Sequence, residues 1–272
     1  MTTAEVTRGS SPVILGFPHT GTAVPPDIWD RLNDEGRKLR DTDWHVDRLY
    51  DGLLPGATTV RATFHRYVID ANRDPSGQSL YPGQNTTGLV PLVDFDNQSI
   101  WKEGAEPTAQ EIEERLAAFH APYHAALQAE IDRVLAEHRI VVLYDCHSIR
   151  SRCPFLFEGQ LPDLNVGTDG GRTCAPALQA AVTMLAETAE GFSHIVNGRF
   201  RGGWTTRHYG RPEHGTHAIQ MEIAQSAYLE TEAPPFDYDA DKAAALRLHL
   251  RAILERIETA ARGMAAASGA KP

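Results

Sequence analysis

Residues 141–151 read VVLYDCHSIRS, in which four apolar residues run straight into Asp145, Cys146, His147 and Ser148. An acid, a thiol, an imidazole and a hydroxyl thus follow a buried-strand pattern at once. A second imidazole, His19, stands just beyond another apolar run in PVILGFPHTG. Ligands of open α/β sheets collect at the carboxyl ends of strands, so two histidines placed there can meet across a crevice although far apart in sequence. A single histidine at a strand end is most often a hydrogen-bonded structural residue, whereas a pair in equivalent places points to chemistry.

Between them, DTDWHVDRLY (41–50) offers Asp43 and Asp47, which share a face if the segment is helical. Acids also favour a first helical turn for its dipole alone. Two histidines and one carboxylate, however, are a ligand set of catalytic zinc, with the fourth position left to water. We assign Asp43 as the ligand and Asp47 as an orienting group behind it, roles the sequence allows to be exchanged. His45, pointing elsewhere on such a helix, takes neither role.

A further carboxylate stands in HAIQMEIAQS (217–226), where alternation puts Ala218, Gln220, Glu222 and Ala224 on one face and Ile219, Met221 and Ile223 on the other. An unpaired carboxylate in an apolar strand is costly. Glu222 is therefore half of a structural salt bridge or, beside a zinc site, a general base. Asn72 and Arg73 follow a short strand in RYVIDANRDPSG (66–77), and Arg199, Arg201, Arg207 and Arg211 lie in the glycine-rich RFRGGWTTRHYGRPEHG (199–215). Guanidinium groups in such loops suit two-pronged capture of a small carboxylate or phosphate, although any one of them could pair with a surface acid.

Strand-like runs at 12–17, 59–64, 140–145, 194–198 and 217–224 alternate with helical patterns, the order of an α/β domain with a mostly parallel or mixed sheet. The longest helical pattern opens on a capping box, Thr108 with Glu111. Pro122 is expected to kink or break it before it feeds the strand at 140. Helices are also expected near 174–189 and over 239–263, the latter stopped by Gly263. A stretch from 71 to 106, rich in Gly, Pro, Asn and Asp, reads as a long functional loop. Residues 1–272 read as one domain, with 1–10 and 264–272 disordered.

A net charge of −10 argues against nucleic acid and anionic membranes and for a small-molecule partner. Three scattered cysteines fit a reducing compartment, and no apolar leader or membrane span is evident, so a cytoplasmic protein is expected. Nothing fixes the oligomeric state.

Taken together, PHTGTAVP, DTDWHVDRLYD, HRYVIDANRDPSG, LYPGQNTTGLVP, YDCHS, LNVGTDGG and GGWTTRHYGRP with HAIQMEI resemble the N-formylglutamate deformylase family, amidohydrolases that close one route of histidine degradation. The pieces cover most of 12–230 in order. The resemblance implies a zinc-carboxypeptidase-like α/β fold, a mixed, mostly parallel sheet with helices on both faces. It also implies a single zinc ion, or another divalent metal, and hydrolysis of N-formyl-L-glutamate to L-glutamate and formate.

By the same resemblance His19 and His147 are the ligand histidines and Glu222 is the base. Asn72 and Arg73 grip a substrate carboxylate, Arg207 and Tyr209 join them, and Asp145 or Ser148 supports a ligand from behind. Carboxypeptidases take a carboxylate ligand three residues after the first histidine, where this chain has Thr22, so the third ligand comes from elsewhere. The rivals are a deacylase of another N-acyl acidic amino acid, a metal-free amidase with Cys146 as nucleophile, and a non-catalytic binding protein for acidic amino acids. Cys146 is expected to pack inward instead, since adjacent residues of a strand face opposite ways.

Overall fold

A computed structural model describes residues 2–80 and 83–269, with the side chains of 268 and 269 excepted. Part of LYPGQNTTGLVP, residues 81–82, and the last three residues of the expected tail lie outside the described residues. One seven-stranded sheet organises the chain in the order β1-β3-β2-β4-β7-β5-β6. Its strands are β1 (Ala4–Thr7), β2 (Val13–Phe17), β3 (Thr58–Ala62), β4 (Val141–Ile149), β5 (Leu164–Gly167), β6 (His194–Val196) and β7 (Thr216–Ala224). The central four, β3, β2, β4 and β7, are parallel; β1 runs antiparallel to β3, and β5 runs antiparallel to β7 and parallel to β6. The sheet is therefore mixed and mostly parallel, as expected.

The helices are α1 (Pro26–Trp29), α2 (Val46–Tyr50), α3 (Ala109–Arg115), α4 (Ala121–His138), α5 (Pro176–Glu187), α6 (Trp204–Tyr209) and α7 (Ala240–Gly269). They cover both faces, which is why β2, β4 and β7 are buried along their whole length and read as nearly continuous apolar runs. One face carries Leu15, Val142, Tyr144, Cys146, Ile219 and Met221 against Leu178 of α5 and Leu250 and Ile253 of α7. The other carries Ile14, Val60, Val141, Leu143 and Ala218 against Tyr123, Leu127, Ile131 and Val134 of α4. Cys146 thus lies on the face of α5 and α7, away from His147.

Several expectations need correction. Residues 4–7 are an ordered edge strand and not a disordered terminus, held by ladder bonds to β3. The last helix runs through Gly263 to Gly269, because a glycine stops a helix by taking a positive φ, and Gly263 does not. Thr108 and Glu111 form the expected capping box, but Pro122 does not break the helix. A π turn, Leu116–His120, joins α3 to α4, and Pro122 falls in the first turn of α4, where its missing N–H costs little. β4 does not stop at Asp145 but continues to Ile149, so His147 lies inside a strand. Among the described residues no helix is long and apolar enough to cross a membrane.

Candidate metal centre and active site

Three neighbouring parallel strands deliver the chemistry to one end of the sheet. His19 lies two residues beyond β2, and its carbonyl accepts the N–H of Asp43 at 3.1 Å, which fastens the two loops together. Asp43 lies in the turn before α2, whose first residue is Val46, so it cannot share a helical face with Asp47. His147 faces the α4 side of β4 in alternation with Cys146, beside Asp145.

His147 Nδ1 is 3.1 Å from Asp43 Oδ2, and His19 Nδ1 is 3.7 Å from the same oxygen. All three side chains are buried, and one ligand atom from each lies within 4.8 Å of the others. The opposite ring nitrogens are engaged by carboxylates: His19 Nε2 is 2.7 Å from Asp70 Oδ1, and His147 Nε2 is 3.1 Å from Asp145 Oδ2. A carboxylate there keeps His19 Nε2 protonated and turns its bare Nδ1 lone pair inward, and His147 presents its own Nδ1 to the same point. Two ring nitrogens and a carboxylate oxygen converging on one buried point call for a cation or a proton among them, so the donor set fits a metal ion of the zinc type.

The electrostatics agree. Burial opposes a charge on His147, but Asp145 and Asp43 outweigh it and hold its pKa well above the usual value. Burial likewise opposes ionisation of Asp43, and the two imidazoles overcome it and hold the carboxyl below its ordinary range. Asp43 Oδ2 also accepts the N–H of Ser148 at 3.2 Å, while the Ser148 hydroxyl accepts from Tyr228 at 2.7 Å. Arg66, itself buried, lies 2.5 Å from Asp70 Oδ2 and 4.0 Å from Asp43 Oδ1, tying the inner carboxylate to the outer one.

Glu222 comes from β7, opposite His147 in the parallel ladder. Gln220 Nε2 donates to its Oε2 at 2.9 Å, and among the described residues no cationic side chain forms an ion pair with it. Burial pushes its carboxyl up to about 7 against the pull of His147, with Asp43 adding to the rise. A buried carboxyl that titrates near neutrality and lacks a salt-bridge partner is suited to proton transfer.

His19, His147 and Glu222 floor a cavity walled by residues of 72–80 and 85–89 on one side and by Arg199, Phe200 and Gly203 on another. Asn72 spans the gap: its Nδ2 is 3.1 Å from His147 Nε2 and its Oδ1 accepts the N–H of Thr205 at 2.8 Å. Arg73 lines the cavity, its guanidinium braced on the carbonyl and hydroxyl of Thr87 at 3.0 Å each. Arg199 lines it from the other wall, with Nη2 on the Asn85 carbonyl.

Other assignments are not met. Asp47 is half-exposed, 3.8 Å from Arg61 and outside the cavity, so it orients neither histidine; Asp70 and Asp145 lie there instead. Arg207 donates from Nε to Gly202 O and pairs with Asp169 at 3.5 Å, and it does not line the cavity. The Tyr209 hydroxyl is 2.9 Å from His124 Nδ1, behind the cavity wall. Thr22 is exposed. Burial raises the Cys146 thiol well above its ordinary pKa, with Asp145 and Asp43 adding to the rise, so with its placement on the far face it is no nucleophile here. Asp70 and Arg66 went unassigned from sequence, although an acid ending the apolar YVID run was the available signal.

The family model of N-formylglutamate amidohydrolase matches residues 11–229. An N-formylglutamate deformylase from Pseudomonas aeruginosa is 45% identical over 92% of this chain and 94% of its own length; one from Pseudomonas putida is 41% identical over 92% and 93%. The crystal structure of an N-formylglutamate amidohydrolase from Ralstonia eutropha superposes with a TM-score of 0.79 at 25% identity, covering 96% of this chain and 99% of that one. A gene product of Agrobacterium tumefaciens shares the fold with a TM-score of 0.71 at 21% identity, covering 95% and 97%. With the family model spanning most of the chain and relatives this similar over nearly their full length, the chain belongs to the N-formylglutamate amidohydrolase family.

Proposed function

We propose that this protein hydrolyses N-formyl-L-glutamate to L-glutamate and formate with a zinc ion held by His19, Asp43 and His147. The observation that carries the reading is the convergence of these three buried ligands beside Glu222, at the base of a cavity lined by Arg73 and Arg199. The names of the two Pseudomonas relatives support the substrate. When bound, zinc would acidify a water and polarise a carbonyl oxygen.

The chain's own groups do the rest. Arg73 and Arg199, on opposite walls, bind the two carboxylates of the glutamyl moiety, in place of the pair Arg73 and Arg207 expected from sequence. Asn72 holds the substrate's end near His147. Glu222 takes a proton from water as its oxygen attacks the formyl carbon, then delivers that proton to the amide nitrogen as the C–N bond breaks. Formate and the free amine of glutamate leave. We place this reaction in histidine degradation and in the cytoplasm, the latter on the strength of three buried free thiols, Cys146, Cys153 and Cys174.

Release of the free amino acid measured across N-formyl, N-acetyl and N-formimino derivatives of glutamate, aspartate and glutamine, with formate and metal content recorded on the same sample, tests the proposal. The expected result is highest kcat/KM for N-formylglutamate, about one zinc per chain, and loss of turnover after chelation. Preference for a longer acyl group would make the protein a deacylase of another class. Binding without turnover in zinc-loaded protein would make it a binding protein.

A further inference from the structure

Two buried histidines outside the metal centre lie against the backbone of the loop that carries Asn72 and Arg73. His124 Nε2 is 2.8 Å from the carbonyl of Ala71, and His120 Nε2 is 3.1 Å from the carbonyl of Arg73. A carbonyl only accepts, so both Nε2 atoms carry hydrogen and donate. His124 Nδ1 is then bare and accepts from the Tyr209 hydroxyl at 2.9 Å. The two imidazoles therefore grip the carbonyls on either side of Asn72, whose own side chain is tied to Thr205 N and His147.

The placement is built by the helix. The π turn of Leu116–His120 ends at His120, and α4 carries His124 one turn further on, so both rings face the loop. Their centroids are 4.3 Å apart, and Trp204, the first residue of α6, lies 5.5 Å from His120 and 4.7 Å edge-on to His124. Both rings stay neutral, since burial lowers the pKa of each; for His124, with His120 beside it, the value falls to about 3.

We infer that His120 and His124 are positioning residues for substrate binding, a clamp on the backbone of residues 71–73 that aims Asn72 and Arg73 into the cavity. The inference rests on the reading of those two residues as substrate contacts. It makes the third turn of chemistry in this chain, after the metal centre and Glu222, a matter of backbone held from behind.

His120→Phe keeps the ring stack and removes the donor, and His120→Gln restores a donor; both are measured as zinc-loaded full-length protein beside Arg73→Lys. For His120→Phe we expect KM for N-formylglutamate to rise about tenfold, the loss of roughly one hydrogen bond's worth of positioning, with kcat and zinc content close to wild type. His120→Gln recovers most of the loss. Should His120→Phe melt before assay, His120→Gln against His120→Leu at a temperature where both are folded gives the same comparison. Unchanged KM in His120→Phe with raised KM in Arg73→Lys overturns the clamp and leaves the carboxylate reading standing. Raised KM in His120→Phe with none in Arg73→Lys supports a clamp acting through Asn72 and sinks the role of Arg73. Equal losses in Phe and Gln variants, tracking melting temperature alone, reduce the histidines to structural residues.

Discussion

His147 and Glu222 are register partners across the parallel β4–β7 ladder, side by side on the same face of the sheet. This histidine and the carboxylate beside it are therefore set by backbone hydrogen bonds and not by flexible loops. A site built on adjacent central strands holds its geometry to a fraction of an ångström, which general acid–base chemistry requires.

Glu222→Gln keeps volume and hydrogen bonding but cannot take a proton. Turnover is expected to fall by ~10²–10⁴-fold while zinc content, melting temperature and KM hold. Wild-type kcat in the Gln variant would remove Glu222 from the mechanism; a drop in melting temperature with turnover per folded molecule intact would make it a structural residue.

His19→Ala and His147→Ala are expected to lose both bound zinc and activity, as is Asp43→Ala, whereas Asp47→Ala retains them. Asp145→Asn should weaken zinc by about 10–100-fold in a chelator competition, because the ring of His147 loses its charged partner. Stoichiometric zinc in any of the three ligand variants would strike that residue from the site.

Arg199 and Arg207 separate by place. Arg199→Lys keeps charge but loses the planar fork, and KM should rise about tenfold or more. Arg207→Lys, outside the cavity, should stay within about twofold of wild type. The reverse ordering in a steady-state comparison would restore the assignment expected from sequence.

Gly203→Ala tests Asn72 without touching it. A Cβ on Gly203 would come 2.3 Å from Asn72 Nδ2, and the three nearest atoms it would meet all belong to that side chain. Asn72 must swing off His147, so kcat/KM should fall by about tenfold or more while the fold survives. Unaltered kcat/KM would show that Asn72 need not stay where it is.

His124 gives a pH signature. Its pKa is lowered by burial, with His120 adding to the effect, to about 3, below the unfolded value of ~6.5. The unfolded chain binds the extra proton between those values, so the group's contribution is fully present above about 6.5 and is lost as pH falls toward 3. His124→Gln lacks this penalty. Its stability deficit against wild type should shrink by about 3 kcal/mol between pH 7 and pH 4 in urea titrations. A deficit that stays constant with pH would mean that His124 titrates normally.

The strands of the sheet centre, the paired histidines, the odd carboxylate at 222 and the loop rich in Gly, Pro and Asn are all legible in the amino-acid order. Each is a local property: an apolar run of strand length, a residue type at its end, a break in alternation. The same local logic mistook the first ten residues for a loose end, because a four-residue edge strand carries too little pattern to read and gains its order only from β3. Tertiary structure alone decided which carboxylate faces the histidines. That depended on α2 beginning at Val46, which leaves Asp43 in the turn against His19 O and swings Asp47 out to Arg61. It also put Asp70, unread in the sequence, against His19 Nε2, set Arg199 and not Arg207 on the cavity wall, and joined the Tyr209 hydroxyl to His124 behind that wall. These outcomes follow from strand order and from the start points of short helices, which bring together residues far apart in the chain; the spacing of residues along it does not encode such contacts.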